Sequence, residues 1–212
     1  MLKHIHAAIT RRALGETFSP RALEVIVAAN VGQDALSGQV GHDEFHFDNN
    51  AFERSRAYIE AQRGLIRPAL EGGDAESARR AFGRLTHAAQ DFYAHSNYID
   101  LWRSSRPDRA TVQAEALDPF DPAFLDTPAL RSGRLYYPLE ALYFVIPLRK
   151  LVMPLLPRDS HAWMNLDSAE RGPMFEYAYQ AAVKRTRYEY DLSTRGFSVK
   201  LNASFTGVSK VA

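Results

Sequence analysis

Three side chains of one stretch, His87, Asp91 and His95, are of types that bind metal ions, and each follows the last by four residues. In an α-helix a step of four residues turns the side chain by only about 40° around the axis, so all three project from one face. A lone helical histidine is usually a surface or satisfied core group, but this triple is far rarer by chance. Two imidazoles and a carboxylate in one row therefore predict a metal site.

The remaining histidines lie on well-separated parts of the chain. The seven histidines fall on four segments, which contain His4 and His6, His42 and His46, His87 and His95, and His161. This distribution predicts a pocket assembled from several elements rather than a solvated histidine patch. Because the chain has no cysteine, disulfides and thiolate zinc sites are excluded. A metal ion would have to be held by histidine, aspartate and glutamate.

Composition places the chain among ordinary globular proteins. Its 212 residues suffice for one sizeable core, and 46% of them are hydrophobic and 24% charged. The net charge of +1 indicates no patch for nucleic acid. No continuous apolar run follows Met1, so no signal peptide is visible, and we expect a cytoplasmic protein or one exported by another route.

The apolar residues recur at helical spacing along most of the chain. They predict helices at residues 4–14, 20–33, 51–70, 74–102 and 172–190. Ser19 is the predicted N-cap of the second helix with Pro20 at its first position, and Asp74 is the predicted cap of the fourth. The sequence therefore predicts an all-α, single-domain, multi-helix fold.

Two stretches between the predicted helices lack helical periodicity. The Gly- and Asp-rich residues 34–50 predict a long loop, which is typical of functional segments. Residues 103–132, rich in proline and aspartate, predict loops with short helical turns. The helical domain is predicted to cover residues 1–195, and residues 196–212 are expected to form a strand or a loose tail.

Residues 136–156 form the most apolar stretch. Glu140, Arg149 and Lys150, together with three prolines, argue against a membrane span. We expect a buried, proline-broken helix pair, and the lesser alternative is a peripheral contact of this stretch with a membrane.

Four motifs follow one another along the chain in a fixed order. They are His6-Ala7-Ala8-Ile9-Thr10, then Asn30–Asp34 with Asp43–Asn50, then His87-x3-Asp91-x3-His95-Ser96-Asn97-Tyr98, and finally His161–Asp167. Together they resemble the motifs of the zinc-dependent phospholipase C superfamily. They occur in the family's order, and the third is the most specific. The chain is most similar to the heterokaryon-incompatibility (Het-C) type branch and more distantly to the S1/P1 nucleases. The resemblance implies an all-α bundle with a zinc cluster at the base of a cleft.

The resemblance also implies how the ligands divide among two or three zinc ions. The first ion would be held by Asp34, His46, His87 and Asp91, the second by His95, His161 and a carboxylate, and the third by His6 with Asp91 as a bridge. Asn165 stands where the family has the carboxylate of the second ion, so Asp167 is the nearest acid. Met1 replaces a tryptophan whose amine binds the third ion in that family, and His4 is a possible substitute. The number of ions therefore stays open.

The function implied by the resemblance is that of a zinc-dependent phosphoesterase. The expected reaction is phospholipase C-type hydrolysis of a phospholipid headgroup phosphodiester, with Asp34 as the catalytic residue that orients and deprotonates a metal-bound water. Its partner would be a phospholipid or another phosphodiester substrate. Zinc ions neutralise the phosphate, activate the water and stabilise the leaving oxygen.

Other functions and residue roles remain open at this point. The protein could be an S1/P1-like nuclease, a catalytically weak, metal-bound structural or toxin-like interaction protein, or a helical binding module without metal. His42 could replace His46. Asp43 and Asp48 could be turn residues, and Asp167 could cap a helix or support a ligand.

Overall fold

The structure of the protein, a computed structural model, describes residues 1–35, 38, 41–143 and 145–208. Within these residues the α-helices are α1 (Lys3–Leu14), α2 (Pro20–Gly32), α3 (Asp43–His46), α4 (Phe52–Glu71), α5 (Ala75–His95), α6 (Tyr98–Ser104), α7 (Pro122–Leu125), α8 (Leu139–Tyr143), α9 (Arg149–Val152), α10 (His161–Met164), α11 (Met174–Thr194) and α12 (Val199–Thr206). Short 3-10 turns lie at Asp48–Asn50, Ala114–Ala116, Ile146–Leu148, Met153–Leu155 and Ala169–Arg171. The described residues contain isolated β-bridges and no strand, so the predicted all-α fold is confirmed.

Helix α5 lies at the centre of the bundle and packs against α2, α4 and α11. Every residue from Leu85 to His95 is buried. Gly83 permits the close contact with α2, since a Cβ atom at this position would lie 2.4 Å from the carbonyl oxygen of Ile26. The helix with the predicted metal-ligand row is therefore also the helix that the rest of the bundle surrounds.

The predicted caps position the helices that carry this bundle. Ser19 Oγ accepts a hydrogen bond from the Ala22 amide at 3.3 Å, and Pro20 occupies the first turn of α2. Asp74 Oδ1 accepts from the Ser77 amide at 2.9 Å at the start of α5. Both side chains satisfy amide groups that have no partner inside their helix, as expected for N-cap residues.

The single helix predicted over residues 74–102 is two helices. Ser96 adopts an extended conformation (φ −103°, ψ 165°) and separates α5 from α6. Asn97 explains the break, because its backbone N–H donates to Arg131 O at 3.0 Å and its side-chain Oδ1 accepts from the Arg131 backbone N–H at 2.8 Å. These contacts with a distant segment replace helical hydrogen bonds, and the sequence periodicity could not reveal them.

The strand or loose tail expected over residues 196–212 is wrong for the residues that the structure describes. They form α12, with Ser198 as its N-cap and Phe205 fully buried against the rings of Phe18 and Phe82. The segment is too short for alternation to separate a strand from a helix, and contact with the core decided the outcome. Residues 209–212 of the expected tail lie outside the described residues.

The apolar stretch 136–156 is broken by its prolines, as expected, into α8, α9 and two 3-10 turns. The prediction that it is buried is wrong. Tyr143, Val152 and Leu156 pack into a small cluster with Ala162, but Leu151 is 72% and Leu155 68% exposed. Each short helical turn packs against the rest of the protein on one side only, so the apolar side chains on its other side stay at the surface. Among the described residues, no helix combines the length and apolarity needed to cross a membrane.

The predicted loop at residues 34–50 has short helical parts where it is described. It contains α3 and the 3-10 turn at Asp48–Asn50. Residues 36, 37, 39 and 40 of this predicted loop lie outside the described residues.

Candidate metal centre

The structure brings the eight predicted metal ligands into one cluster. They come from α1 (His6), the turn after α2 (Asp34), α3 (His46), α5 (His87, Asp91 and His95), α10 (His161) and the loop after α10 (Asp167). The five imidazoles and Asp91 are buried, while Asp34 and Asp167 are partly exposed. Residues distant in sequence thus meet beside the inner face of α5.

Asp91 lies at the centre of this cluster. Its Oδ1 is 3.1 Å from His6 Nε2, and its Oδ2 is 3.0 Å from His46 Nδ1 and 3.1 Å from His87 Nε2. The amino group of Met1 also donates to Oδ1. Burial alone would raise the pKa of Asp91, but the surrounding positive groups, chiefly the Met1 amino group and His95, hold it well below its usual value. The carboxylate is therefore ionised, with an imidazole nitrogen near each oxygen.

A second group of ligands lies at the C-terminal end of α5. Asp48 Oδ1 is 2.9 Å from His161 Nδ1 and 3.5 Å from His95 Nδ1. On the other side of the His95 ring, Nε2 is 3.0 Å from Asp167 Oδ1. Although burial opposes the shift, the carboxylates of Asp48 and Asp167 raise the pKa of His161 well above its ordinary value. Two imidazoles and two carboxylates thus converge here.

Asp48 is the candidate ligand that the sequence interpretation missed, because it was expected to be a turn residue. Phe47 and Asn49 on either side of it have left-handed backbones, with φ of 57° and 53°. The Asn49 amide donates to Gly133 O at 2.8 Å, and its side-chain oxygen accepts from the Leu135 amide at 2.8 Å. This anchored turn lets His46 and Asp48 both reach the cluster. The available signal was an aspartate two residues after a predicted ligand.

Asn165 stands at the position where the resemblance implies a metal-binding carboxylate. Its side chain and backbone instead make hydrogen bonds within the α10 region. Its Nδ2 donates to the carbonyl oxygen of His161 at 2.8 Å, and its own carbonyl accepts from Arg171 Nε at 2.8 Å. Gly133 supports the same turn, since a Cβ atom there would lie 2.6 Å from the Cα atom of His161. These residues hold the backbone of α10 in place, and Asp48 and Asp167 supply the carboxylates.

A buried polar network fixes the orientation of the His6 ring. His6 Nδ1 lies 2.6 Å from Gln90 Oε1, and the Gln90 amide donates to the hydroxyls of Thr10 and Thr186 at 3.1 and 3.0 Å. Because the amide donates to both threonines, Gln90 Oε1 must accept from His6, which places the ring proton on Nδ1. The lone pair of His6 Nε2 then points towards Asp91. Gln90 is a second residue that the sequence interpretation missed.

The protonation states of His6 and His87 suit metal binding. Burial lowers the pKa of His87 to about 3, with His6 as a further cause, and burial together with the Met1 amino group lowers the pKa of His6. Both rings are therefore neutral near pH 7 and can offer lone pairs. Within the described part of the chain, His6 Nε2 and Asp34 Oδ2 are buried without a hydrogen-bond partner. Because buried polar atoms are nearly always satisfied, these atoms fit a bound cation.

The two alternative histidines do not join the cluster. His4 is exposed. The His42 side chain is 43% exposed, lies 3.0 Å from Glu44 Oε1 and stacks on the ring of Phe45. His46, not His42, is therefore the loop imidazole at the centre, and Asp43 contacts Arg54 at the surface.

A cavity of about 530 Å³ opens beside the cluster. Asp34, Asp48, His95, His161 and Asp167 are among the polar residues that line it, and its apolar wall includes Leu2, Leu135, Tyr137, Ala141 and Tyr143. The cluster is thus reachable from solvent on one side. Among the described residues, three sets of side chains bring their ligand atoms within 4.8 Å of one another: His6, Asp34 and His87; His46, His87 and Asp91; and Asp48, His95 and His161.

Comparison with known proteins shows the family. Residues 2–116 match the family described as the VWA7 N-terminal domain. The von Willebrand factor A domain-containing protein 7 of Rattus norvegicus is 35% identical over 94 residues, which are 41% of this chain and 10% of that protein. The Homo sapiens protein of the same name is 34% identical over 80 residues, 38% of this chain and 9% of that protein. The alignments thus cover about a tenth of these curated relatives. No solved structure matches the chain.

These matches correct the predicted membership of the zinc-dependent phospholipase C superfamily. They also overturn the predicted phosphodiesterase activity and the nuclease alternative, because the relatives' names describe no enzyme. The error has a physical reason. Buried histidines and aspartates at metal-binding spacing indicate that an ion can be held, but the same ligands occur in structural and in catalytic metal sites, so they do not specify a reaction. Asp34 remains a candidate ligand, and no reaction is assigned to it. Since the match covers more than half of the sequence, the chain belongs to the VWA7 N-terminal domain family.

Proposed function

We propose that this domain binds divalent transition-metal ions, zinc first among them, in the buried cluster around Asp91. The observation that carries the proposal is the position of the buried Asp91 carboxylate, whose oxygens lie 3.0–3.1 Å from imidazole nitrogens of α1, α3 and α5. Imidazole with carboxylate is a ligand set that suits zinc, whereas calcium and magnesium prefer oxygen ligands alone.

The ligand atoms support two ion positions. One would be held by His6, Asp34, His46 and His87 around Asp91. The other would be held by Asp48, His95, His161 and Asp167 at the C-terminal end of α5. The two oxygens of Asp91 face different neighbours, and its Oδ1 is 3.8 Å from His95 Nε2, so this carboxylate can serve as the link between the positions.

The proposed role of the metal is to stabilise the domain. The ligands belong to α1, α3, α5 and α10 and to loops between them, so an ion joins elements that are far apart in sequence. Such a site does not exist in the unfolded chain, and the free energy of metal binding therefore adds to the free energy of unfolding.

The test compares two histidines of the same loop. Purified protein is dialysed against zinc and its metal content measured by plasma mass spectrometry, for the parent chain, His46→Ala and His42→Ala. We expect about two zinc ions per chain in the parent and in His42→Ala, and a clear loss in His46→Ala. Cobalt substitution should give the intense visible absorption of a low-symmetry site in the parent.

Two outcomes would contradict the proposal. One is a zinc content well below one ion per chain in folded parent protein after zinc has been offered. The other is an equal loss of zinc in His46→Ala and His42→Ala, which would indicate adventitious binding to surface histidines. Circular dichroism of each variant shows whether the helical fold is retained.

A further inference from the structure

The segment from Tyr137 to Arg158 exposes an unusual amount of apolar surface. Among the side chains of this segment that the structure describes, six large apolar ones are exposed: Tyr137 (57%), Leu142 (41%), Val145 (45%), Leu148 (36%), Leu151 (72%) and Leu155 (68%). Single exposed apolar residues are normal on a protein surface, but a group of them within one short segment marks an interaction site. We call these six side chains the apolar face.

Five of the six side chains of the apolar face recur at helical spacing in the sequence. From Leu142 through Val145, Leu148 and Leu151 to Leu155, the steps are three, three, three and four residues. In α-helical and 3-10 turns, residues three or four apart lie on the same side. The opposite side is the one that packs inward, with Tyr143, Val152 and Leu156 against Ala162. The spacing therefore predicts that the side chains from Leu142 to Leu155 share the outer side of the segment.

The charges of this segment are almost entirely positive. Its only acidic residue is Glu140, which is fully buried and accepts a hydrogen bond from the Ala162 amide at 2.6 Å. Its cations are Arg149, Lys150 and Arg158. Within the part of the chain that the structure describes, no ion pair joins Lys150 or Arg158 to an acid. Arg158 instead lies over the ring of Trp163 at 3.7 Å.

We propose that the apolar face docks on an anionic lipid surface, with its leucines in the boundary between headgroups and acyl chains. Apolar and aromatic side chains flanked by unpaired cations form the pattern of an interfacial segment that lies in the plane of the membrane. Leu2 is 39% exposed and lines the cavity wall together with Tyr137, so it extends the same apolar surface. The contact is one of binding and involves no hydrolysis.

A second copy of the chain fits this face less well. A stable dimer interface uses about 20–30 residues a side, and the apolar face offers six large side chains. Two copies related by a twofold axis would also bring the arginines and the lysine of this segment close to those of the partner, and like charges would repel.

The experiment uses the full chain and vesicles of two compositions, phosphatidylcholine alone and phosphatidylcholine with phosphatidylserine. We expect cosedimentation with the vesicles that contain phosphatidylserine and weaker binding in high salt. The double variant Leu151→Asp with Leu155→Asp should bind at least about tenfold more weakly, because two leucines no longer enter the lipid.

The matched control places aspartate at two exposed apolar positions elsewhere on the surface. Leu65 on α4 is 51% exposed and Val199 on α12 is 74% exposed. The double variant Leu65→Asp with Val199→Asp should bind vesicles like the parent chain. A third variant, Lys150→Glu with Arg158→Glu, should lose the preference for phosphatidylserine. All the substituted side chains lie at the surface and outside the metal cluster, so failure of the metal proposal would leave this test unaffected.

Three results would overturn the proposal. The first is no vesicle binding by the folded parent chain. The second is equal binding by the Leu151→Asp, Leu155→Asp variant and its control. The third is a dimer in light scattering that the same variant abolishes, without any vesicle binding, which would assign the apolar face to a second copy.

Discussion

Two regions of this molecule reverse the usual relation between polarity and burial. The second half of α5 carries His87, Asp91 and His95 and is buried throughout. The segment 137–158 lies largely within the most apolar stretch of the chain, and six of its large apolar side chains that the structure describes lie at the surface. The polar ligands are therefore inside, and a leucine-rich stripe is outside.

The difference shows what decides burial. The second half of the 21-residue helix α5 has neighbours on several sides, so its circumference is covered there. The 137–158 segment is cut into pieces of three to five residues, and its inner side alone contacts the protein. A polar group can be buried at low cost when it has hydrogen-bonding or ionic partners. An apolar group stays exposed when no other part of the protein packs over it.

The largest effect should follow from removing the carboxylate at the centre of the buried region. Asp91→Ala leaves imidazoles and an amino group buried without their anion, so we expect the free energy of unfolding to fall by about 3–5 kcal/mol. Urea denaturation measures the loss, and zinc binding should fall with it. Asp126→Ala, at an exposed position, should change stability by less than about 0.5 kcal/mol. Equal effects of the two substitutions would contradict a central role for Asp91.

A slightly smaller effect is expected from a leucine of the buried region. Leu85 is fully buried in α5, so Leu85→Ala should cost about 2–5 kcal/mol through lost contacts and a cavity. Urea denaturation with an unchanged m-value measures this loss in the free energy of unfolding. A cost below about 1 kcal/mol would mean that this part of α5 is less closely packed than the structure shows.

Replacement of Gln90 should lower the free energy of unfolding by an intermediate amount and should also weaken zinc binding. Gln90→Leu leaves His6 Nδ1 without its acceptor and removes the amide donor to the hydroxyls of Thr10 and Thr186. We expect the free energy of unfolding to fall by about 1–3 kcal/mol. The His6 ring is then free to change tautomer, so zinc affinity should fall about 10- to 100-fold. Competition with a coloured chelator measures it. Unchanged zinc affinity in the folded variant would show that Gln90 does not orient the ligand.

The pH dependence of the metal-free protein should report the buried state of His87. Its pKa falls to about 3 on burial, while in the unfolded chain it is near 6.5. Between these values the unfolded state binds more protons, so His87 lowers the free energy of unfolding as pH falls, by about 1 kcal/mol from about pH 7.5 to about pH 6. The test compares the parent and His87→Asn at both pH values. A parent that loses no more stability than the variant would contradict the assignment.

The smallest effect is expected in the exposed region. Leu151→Ala should change the free energy of unfolding by less than about 0.5 kcal/mol, because 72% of this residue is already in water. Thermal and urea denaturation measure it beside Leu85→Ala. A loss comparable to that of Leu85→Ala would show that the apolar face is covered in solution, and the contrast between the two regions would disappear.

Much of the fold could be predicted from local signals. Ser19 with Pro20 and Asp74 mark helix starts because capping depends on neighbouring residues alone. The break at Ser96 and the helix at Val199–Thr206 could not be predicted, since the first depends on contacts between Asn97 and Arg131 and the second on the burial of Phe205.

The candidate site divides in the same way. The spacing of His87, Asp91 and His95 placed three groups on one face because the α-helix has a fixed period. Asp48 could not be predicted because its role depends on a turn with left-handed backbone conformations. Gln90 could not be predicted because its role depends on threonines from two other helices. The enzymatic interpretation failed because residue types and spacing indicate metal ligands without specifying a reaction.

The sequence by itself determined that this protein is helical and which side chains share the inner face of α5, because helical period and capping are local properties. Only the tertiary structure decided that ligands from α1, α3 and α10 meet that face, and that the most apolar segment lies outside. Both outcomes depend on which surfaces the packed helices offer to one another. That property belongs to the assembled chain, and no stretch of residues carries it alone.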